Sequence, residues 1–295
     1  MSDPLERARS LTCWTRPVVP EVLKGGITNT NFRVRDGARE FVVRIGDDIP
    51  VHHILRWNEL AASRAAHAAG VSPEVVHAEP GAMVLAHVAG RVLTPADIAD
   101  RAMLRRIVPL LLRCHREIPL HLRGPVLAFW VFHVIRDYAA TLEERGSAYR
   151  PLLPELLRHA ARLERAVGPV DLVFGHNDLL ASNFIDDGER LWLIDWDYAG
   201  FNSPLFDLGG LASNNGLGEA YERFLLELYF NRPVDDGLWR SYQAMKCASL
   251  LRETMWSMVS ELTSTLDFDY AAYTQENLAR FERALARFGE LDRNG

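Results

Sequence analysis

The sequence predicts an α+β protein, with an N-terminal antiparallel sheet plus one helix, followed by a larger, mainly helical part. Two observations support this fold class. Short apolar runs bounded by turn residues, as expected for strands, occur before residue 90 at 41–45, 75–79 and 83–88. Longer segments after that point, such as 102–115, repeat apolar residues at the spacing of three and four that is typical of a core helix.

The predicted elements follow a simple order along the chain. A weakly patterned, proline-bounded stretch at 1–20 has room for a short helix capped by Ser2 or Asp3. A helix is predicted at 54–69, and Ala89-Gly90 breaks the strand pattern after the hairpin. The later helices are predicted at 126–143, 152–166, from Ser203 onward, 217–229, 238–262 and 270–285.

The composition is that of an ordinary globular protein and argues against several partners. The 33 basic and 39 acidic residues give a net charge of −6, which predicts no general affinity for nucleic acid. No apolar run approaches the ~20 residues of a membrane-spanning helix, and the acidic N-terminus is unlike a signal peptide. The three widely spaced cysteines (Cys13, Cys114 and Cys247) predict reduced thiols and a cytoplasmic location.

One stretch, 172–207, places polar side chains among apolar runs that should be buried. Two predicted strands, 184–185 and 191–194, are joined at Asp187-Gly188, a strong hairpin-turn dipeptide. Because Asn183 and Asp195 are nearly equidistant from this turn, the hairpin should bring them side by side. The polar set consists of His176, Asp178, Asn183, Asp195 and Asp197.

This polar set is suited to phosphoryl transfer. An amide oxygen and a carboxylate held together beside a loop carboxylate, Asp178, form a hard-oxygen site of the kind that Mg²⁺ prefers. Asp178 and Asn183 stand as D-x-x-x-x-N, the separation between the catalytic Asp and the metal-binding Asn of kinases. Isolated pairs at this distance are common, and a turn-rich β segment with solvated acids is the alternative. The combination with His176 and the hairpin is far rarer.

The motif H-N-D-L-L-A-S-N followed by L-I-D-W-D-Y resembles the aminoglycoside phosphotransferase and choline/ethanolamine kinase superfamily, and within it the bacterial choline/ethanolamine kinases. The similarity extends from about residue 23 to about residue 281. It implies a two-lobed protein-kinase-like fold, in which 1–88 form the N-terminal nucleotide-covering lobe and 89–295 the catalytic and substrate-binding lobe. It also implies ATP and Mg²⁺ as cofactors.

The resemblance assigns the nucleotide site to the first lobe. Residues with small or short polar side chains (Gly25, Gly26, Thr28 and Asn29) would cover the phosphates, although a plain hairpin turn uses the same residue types. Arg44 would hold the phosphates where protein kinases have a lysine, with Glu59 as its partner. The alternative for Arg44 is an edge-strand arginine that points to water. Backbone groups of Ala86 and Val88 would bind adenine.

The resemblance also assigns roles in the second lobe. Asp178 would accept the proton of the substrate hydroxyl, His176 would anchor the catalytic loop, and Asp207 would hold the loop backbone. Asn183 and Asp195 would bind Mg²⁺. Asp197 would orient the cationic head of the substrate or a water on the metal.

Aromatic residues near the C-terminus predict the substrate. Trp256 and Tyr273, with Tyr270 beside them, match positions that bind a quaternary ammonium in choline kinases, although amphipathic helices commonly contain such aromatics. Glu253 stands where the family more often has a second Trp. This departure predicts one of three things: a weaker aromatic binding site for a quaternary ammonium, a primary amine such as ethanolamine as the substrate, or an added negative charge opposite the cationic head.

The predicted function is therefore ATP- and Mg²⁺-dependent phosphorylation of a small cationic amino alcohol, choline or ethanolamine. Two alternatives remain: a kinase for an aminoglycoside or another amine-bearing alcohol, and a pseudokinase that binds nucleotide without turnover. The sequence leaves the oligomeric state open, a homodimer included.

Overall fold

The computed structural model describes residues 3–23 and 28–293 and has the predicted α+β architecture. Three predicted features, namely a cap at Ser2 and the phosphate-covering Gly25 and Gly26, lie outside the described residues. Across the described ranges, none of the helices combines the length and the hydropathy needed to cross a bilayer.

An antiparallel sheet of five strands forms the N-terminal part, in the order β1-β2-β3-β5-β4. The strands are β1 (Glu21–Leu23), β2 (Thr30–Asp36), β3 (Arg39–Ile45), β4 (Val75–Glu79) and β5 (Ala82–Ala86). β2 and β3 pair along their whole length and turn at Gly37, whose φ of 67° suits a glycine. The central position of β3 in this sheet decides where its side chains point.

A short helix, α1 (Pro4–Arg9), covers one side of the sheet. The side chain of Asp3 caps this helix by accepting a hydrogen bond from the backbone N of Leu5, so the predicted cap at Asp3 is confirmed. Ala8 from this helix is buried with Phe32 and Phe41, and this small apolar cluster stabilises the sheet.

The helix α2 (Arg56–Ala68) links the sheet to the rest of the molecule. Small side chains such as Ala62 and Ala66 are buried and let α2 pack closely against α4 (Arg101–His121). The same face of α2 carries the buried polar residues Asn58 and Glu59. Asn58 Nδ2 donates to the carbonyl of Ala199 at 2.8 Å, which fixes α2 against the later part of the chain.

The remaining helices pack around one long central helix. They are α3 (Pro95–Ile98), α5 (Val131–Glu144), α6 (Leu153–Val167), α7 (Pro204–Asn214), α8 (Glu219–Phe230), α9 (Asp236–Thr263) and α10 (Tyr270–Arg293). α9 contacts α5, α6, α7 and α10, and it is therefore buried on nearly every side through its middle.

Two small sheets carry the polar motif between α6 and α7. β7 (Val173–Gly175) pairs with β10 (Gly200–Asn202), and β6 (Arg91–Val92) pairs with β8 (Phe184–Asp186), which pairs with β9 (Leu191–Leu193). The predicted hairpin at Asp187-Gly188 is thereby confirmed. The Asp187 side chain accepts from the backbone N of Glu189 and of Arg190 and shapes the turn.

Some predicted boundaries differ from the structure. The helix predicted at 126–143 begins only at Val131, because the backbone at Leu127 and Phe129 hydrogen-bonds to Phe201 instead. The predicted helices 102–115 and 270–285 continue to His121 and Arg293. The lobe boundary near residue 89 stays a prediction.

Candidate active site

The loop predicted to be catalytic, 176–183, follows β7, and a buried carboxylate holds its backbone. Asp207 in the first turn of α7 accepts from the backbone N of His176 at 2.8 Å and of Asn177 at 2.7 Å. The Nε2 atom of His115 lies 2.9 Å from the same carboxylate. Burial alone would raise the pKa of Asp207, but these contacts hold the pKa below its ordinary value. Asp207 is thus an ionised clamp for the loop.

His176 is fully buried, and both nitrogens of its ring contact backbone groups. Its Nε2 lies 2.9 Å from the carbonyl oxygen of Ile194, which can only accept, so Nε2 carries the proton. Its Nδ1 accepts from the backbone N of Asp178 at 3.3 Å. Burial lowers the pKa of His176, so the ring is neutral. These contacts suit the anchoring role that the resemblance implies.

Asp178 differs from Asp197 and Asp207 in the hydrogen bonding of its carboxylate. In the part of the chain that the structure describes, no group donates a hydrogen bond to this carboxylate. Burial raises its pKa from 3.8 to about 8, while the guanidinium of Arg252 acts in the opposite direction. The lone pairs of Asp178 therefore remain available to a bound substrate.

The predicted metal ligands, Asn183 and Asp195, lie at the same end of the β8–β9 hairpin. The backbone N of Ile194 donates to the carbonyl of Asn183 at 3.0 Å, which sets Asn183 beside the segment that leads into Asp195. The amide Nδ2 of Asn183 donates to the Asp178 carbonyl at 2.9 Å, so the amide oxygen is turned away from that bond. Asp195 has a φ of 71°, a strained value for a non-glycine residue and one that functional sites often hold.

Arg44 lies in the middle of the acidic groups. Its Nη2 lies 2.8 Å from Asp195 and 3.1 Å from Asp197, and its Nε lies 2.8 Å from Glu59 without the alignment of a hydrogen bond. Arg44 is only 7% exposed, because β3 is an inner strand between β2 and β5. The alternative of an edge-strand arginine that points to water is wrong.

A second arginine, Arg56, was missing from the sequence prediction. Its Nη1 lies 2.7 Å from Glu59 and 2.8 Å from Asp197, and its Nη2 donates to the carbonyl of Thr28 at 3.1 Å. The spacing of three between Arg56 and Glu59 on a predicted helix was the available signal. Together, the two arginines offset most of the charge of three acids: Glu59, Asp195 and Asp197, whose oxygens approach within 4.8 Å of one another.

Asp197 faces the nucleotide side of the site. Its Oδ2 accepts from Thr28 Oγ1 at 2.7 Å and from Asn29 Nδ2 at 3.4 Å. The structure therefore places Asp197 against Thr28, Asn29 and the two arginines, and among the described residues no hydrogen bond joins its side chain to the aromatic group. This position fits the predicted role near the metal better than orientation of the substrate head.

The predicted adenine contacts are only partly available. The backbone N of Ala86 donates to the carbonyl of Glu74 at 2.9 Å, so this N–H is already used by the sheet. Val88 follows β5 and is half-buried. The N–H of Ala86 is therefore not free for adenine, and the contacts of adenine with its carbonyl and with the backbone of Val88 stay predictions.

The predicted substrate residues are gathered between α9 and α10. The ring centroid of Trp256 lies 6.2 Å from that of Tyr270 and 6.5 Å from that of Tyr273. Glu253 joins them, because its Oε1 accepts from the Tyr273 hydroxyl at 2.8 Å. A cleft of about 630 Å³ includes Trp256 and Tyr270 and also Thr28 in its lining, so it joins the aromatic group to the nucleotide side.

Solved structures identify the class of fold. A choline/ethanolamine kinase family protein from Mesorhizobium loti superimposes with a TM-score of 0.79 and 28% identity, over 99% of this chain and 100% of that chain. An aminoglycoside 2′-phosphotransferase in complex with GDP, at 18% identity and a TM-score of 0.65, shares the fold. The chain thus has the two-lobed, protein-kinase-like fold that these phosphotransferases share.

A sequence profile of choline/ethanolamine kinases matches residues 21–216. The chain belongs to the choline/ethanolamine kinase family, as the motifs predicted. It is 29% identical to Protein LicA of Haemophilus influenzae over 213 residues, which are 70% of this chain and 62% of that protein, less than two thirds of its length. A probable ethanolamine kinase of Arabidopsis thaliana is 27% identical over 86% of this chain and 76% of its own length.

Proposed function

We propose that the protein transfers the γ-phosphoryl group of ATP to the hydroxyl of choline or ethanolamine, in a Mg²⁺-dependent reaction. The observation that carries the proposal is the Asp178 carboxylate, which has no hydrogen-bond partner among the described residues, on a residue whose main-chain carbonyl accepts from the Asn183 amide. Membership of the choline/ethanolamine kinase family supports this acceptor class.

Asp178 acts as the general base. As the substrate oxygen forms its bond to the γ-phosphorus, the O–H proton passes to the Asp178 carboxylate, and the electrons of the breaking β–γ bridge leave with ADP. The raised pKa of Asp178, about 8, suits a group that must take a proton near neutral pH. His176 and Asp207 keep the loop in place without exchanging protons with the substrate.

The acidic groups fit a magnesium ion. The Asn183 amide oxygen and the Asp195 carboxylate would hold it, and Glu59 and Asp197 offer further hard oxygens nearby. Bound there, Mg²⁺ would neutralise charge on the phosphate oxygens. The chain's own contribution is orientation, because Arg44 and Arg56 already hold these carboxylates in one arrangement.

The nucleotide would lie under the loop that includes Gly25, Gly26, Thr28 and Asn29. Arg44 would contact the phosphates while Glu59 holds its guanidinium, and the backbone at Ala86 and Val88 would meet the base. The contact of Asn29 and Thr28 with Asp197 supports this placement, because it joins the loop to the predicted metal site.

The ammonium head of the substrate would lie against Trp256, Tyr270 and Tyr273. An aminoglycoside is less suited to this site, because Arg252 offsets the charge of Glu253 and little net negative charge remains to attract a polycation. The presence of every predicted polar residue of the loop and hairpin supports turnover over a pseudokinase. The free thiols Cys13, Cys114 and Cys247 support a cytoplasmic location.

A panel of acceptors tests the proposal. Choline, ethanolamine, thiamine and an aminoglycoside are each incubated with ATP and Mg²⁺, and ADP release is measured with and without EDTA. We expect release with choline or ethanolamine, abolished by EDTA. Release with the aminoglycoside alone, or with none of the four, would contradict the proposal.

A further inference from the structure

A charged pair interrupts the aromatic group on α9. Glu253 and Trp256 are three residues apart, one turn of the helix, and therefore share a face. Arg252 Nη1 donates to Glu253 Oε2 at 2.9 Å, and the Tyr273 hydroxyl donates to Glu253 Oε1 at 2.8 Å. The carboxylate is thereby fixed beside the aromatic rings.

The two members of the pair differ in how far their side chains are exposed. The Arg252 side chain is 5% exposed, whereas the Glu253 side chain is 21% exposed. The guanidinium lies behind the carboxylate and over the ring of Tyr198, at 4.3 Å from its centroid. That ring face already has a cation from the protein itself, so it is not available to the head of a substrate.

The chemistry of the ammonium head decides how it would meet this arrangement. A quaternary ammonium has no N–H donor and is bound by aromatic faces alone. A primary ammonium has three N–H donors, which need acceptors when the group leaves water. A carboxylate can accept about four hydrogen bonds, and Arg252 and Tyr273 use only two of them.

We infer that Glu253 is a specificity-determining residue, held by Arg252 and Tyr273, that makes the site favour an ammonium with N–H bonds over a quaternary one. The inference rests on the proposed function and names the preferred substrate within it. Because Arg252 offsets the charge of Glu253, the preference comes from hydrogen bonding and not from net attraction. The kcat/KM of the acceptor should therefore decrease stepwise with each methyl group added to its nitrogen.

The test uses ethanolamine, its N-methyl and N,N-dimethyl derivatives, and choline as acceptors for the intact protein. We expect kcat/KM to fall along this series. Glu253→Met should lower kcat/KM for ethanolamine by about tenfold to a hundredfold, mainly through KM, and leave choline within about threefold. Glu276→Met, at an exposed position on α10, is the matched control and should leave the ratio unchanged.

Loss of Glu253 alone leaves Arg252 as a buried charge without its partner, so this variant can fail to fold. The double variant Arg252→Met/Glu253→Met removes both charges and should show the same loss of selectivity. A wild-type preference for choline, or an equal loss for both substrates in the double variant, would overturn the inference. If wild type phosphorylates no member of the series, the proposed function itself has failed, which is a distinct result.

Discussion

Arg44 Nη2 lies 2.8 Å from Asp195 Oδ1, although the two residues are 151 positions apart in the sequence. Arg44 comes from an inner strand of the N-terminal sheet, and Asp195 follows the hairpin of the later part. The carboxylate that is predicted to bind the metal is therefore held by a cation from the other lobe. Correct assembly of the site requires that both parts are folded and docked.

Asp178→Asn should reduce turnover by orders of magnitude and leave thermal stability equal or higher. The pKa of Asp178 rises from 3.8 to about 8 on folding, so between these pH values the unfolded state binds fewer protons and the acid costs stability. Replacing it removes that cost along with the base. ADP release and the Tm at pH 7 measure the two effects, and undiminished release with an accepted alcohol would refute the base assignment.

The rate should also depend on pH in a defined direction. Asp178 accepts a proton only when ionised, so kcat/KM for the alcohol should rise with pH across the neutral range and then level off. The apparent pKa should be no higher than about 8, because a bound metal can only lower it. A rate that is flat between pH 5 and 9 would exclude Asp178 as the titrating base.

Arg44→Met should destabilise the protein strongly, by roughly 3–5 kcal/mol, because Asp195 loses its arginine contact and Arg56 alone remains to pair with Glu59 and Asp197 in a buried site. Arg39→Met on the same strand, where the arginine side chain is 64% exposed, is the control and should change stability by less than about 0.5 kcal/mol. Urea unfolding measures both free energies. Similar values for the two variants would show that the acids do not depend on Arg44.

Mg²⁺ with a nonhydrolysable ATP analogue should raise the Tm of the wild-type protein, because only the folded state binds them. The increase should be lost in Asp195→Ala. Crystals soaked with the same pair should show the metal on Asn183 and Asp195. Metal density at other residues, together with an undiminished Tm increase in Asp195→Ala, would refute the assignment of the metal to Asn183 and Asp195.

Trp256→Leu should raise the KM for choline by about 2- to 30-fold, the equivalent of ~0.5–2 kcal/mol for one aromatic face. Trp256→Phe keeps a face but loses the indole hydrogen bond to the Tyr198 hydroxyl, and should have the smaller effect. Steady-state kinetics with choline compare the two variants. Equal KM values for wild type and Trp256→Leu would remove Trp256 from the substrate site.

Local signals explain what the sequence predicts well. Asp187-Gly188 encodes its own turn, so the pairing of β8 with β9 and the proximity of Asn183 to Asp195 follow from counting residues. β10 has no such signal, because it is three residues long, begins with Gly200 and pairs with a strand about 25 positions earlier. The pairing of β10 with β7 therefore depends on the tertiary fold and not on a local turn.

The buried arginines show the same limit. Arginine on a helix is usually solvated, and the sequence around Arg56 and Arg252 looks ordinary in that respect. The contacts of the half-buried Arg56 and the buried Arg252 depend on groups from distant segments, such as Asp197 for Arg56 and Tyr198 for Arg252. Arg44 was predictable because the motif placed it in a strand with a named partner.

The central helix α9 is both the interior of the C-terminal part and one wall of the cleft. Substitutions at Glu253 or Trp256 therefore also disturb the packing of α9. The connection from 264 to 269 is largely exposed, with Leu266 at 48% and Phe268 at 46%. During divergence of such enzymes, new acceptor preferences should arise first in this connection, where a change costs little stability.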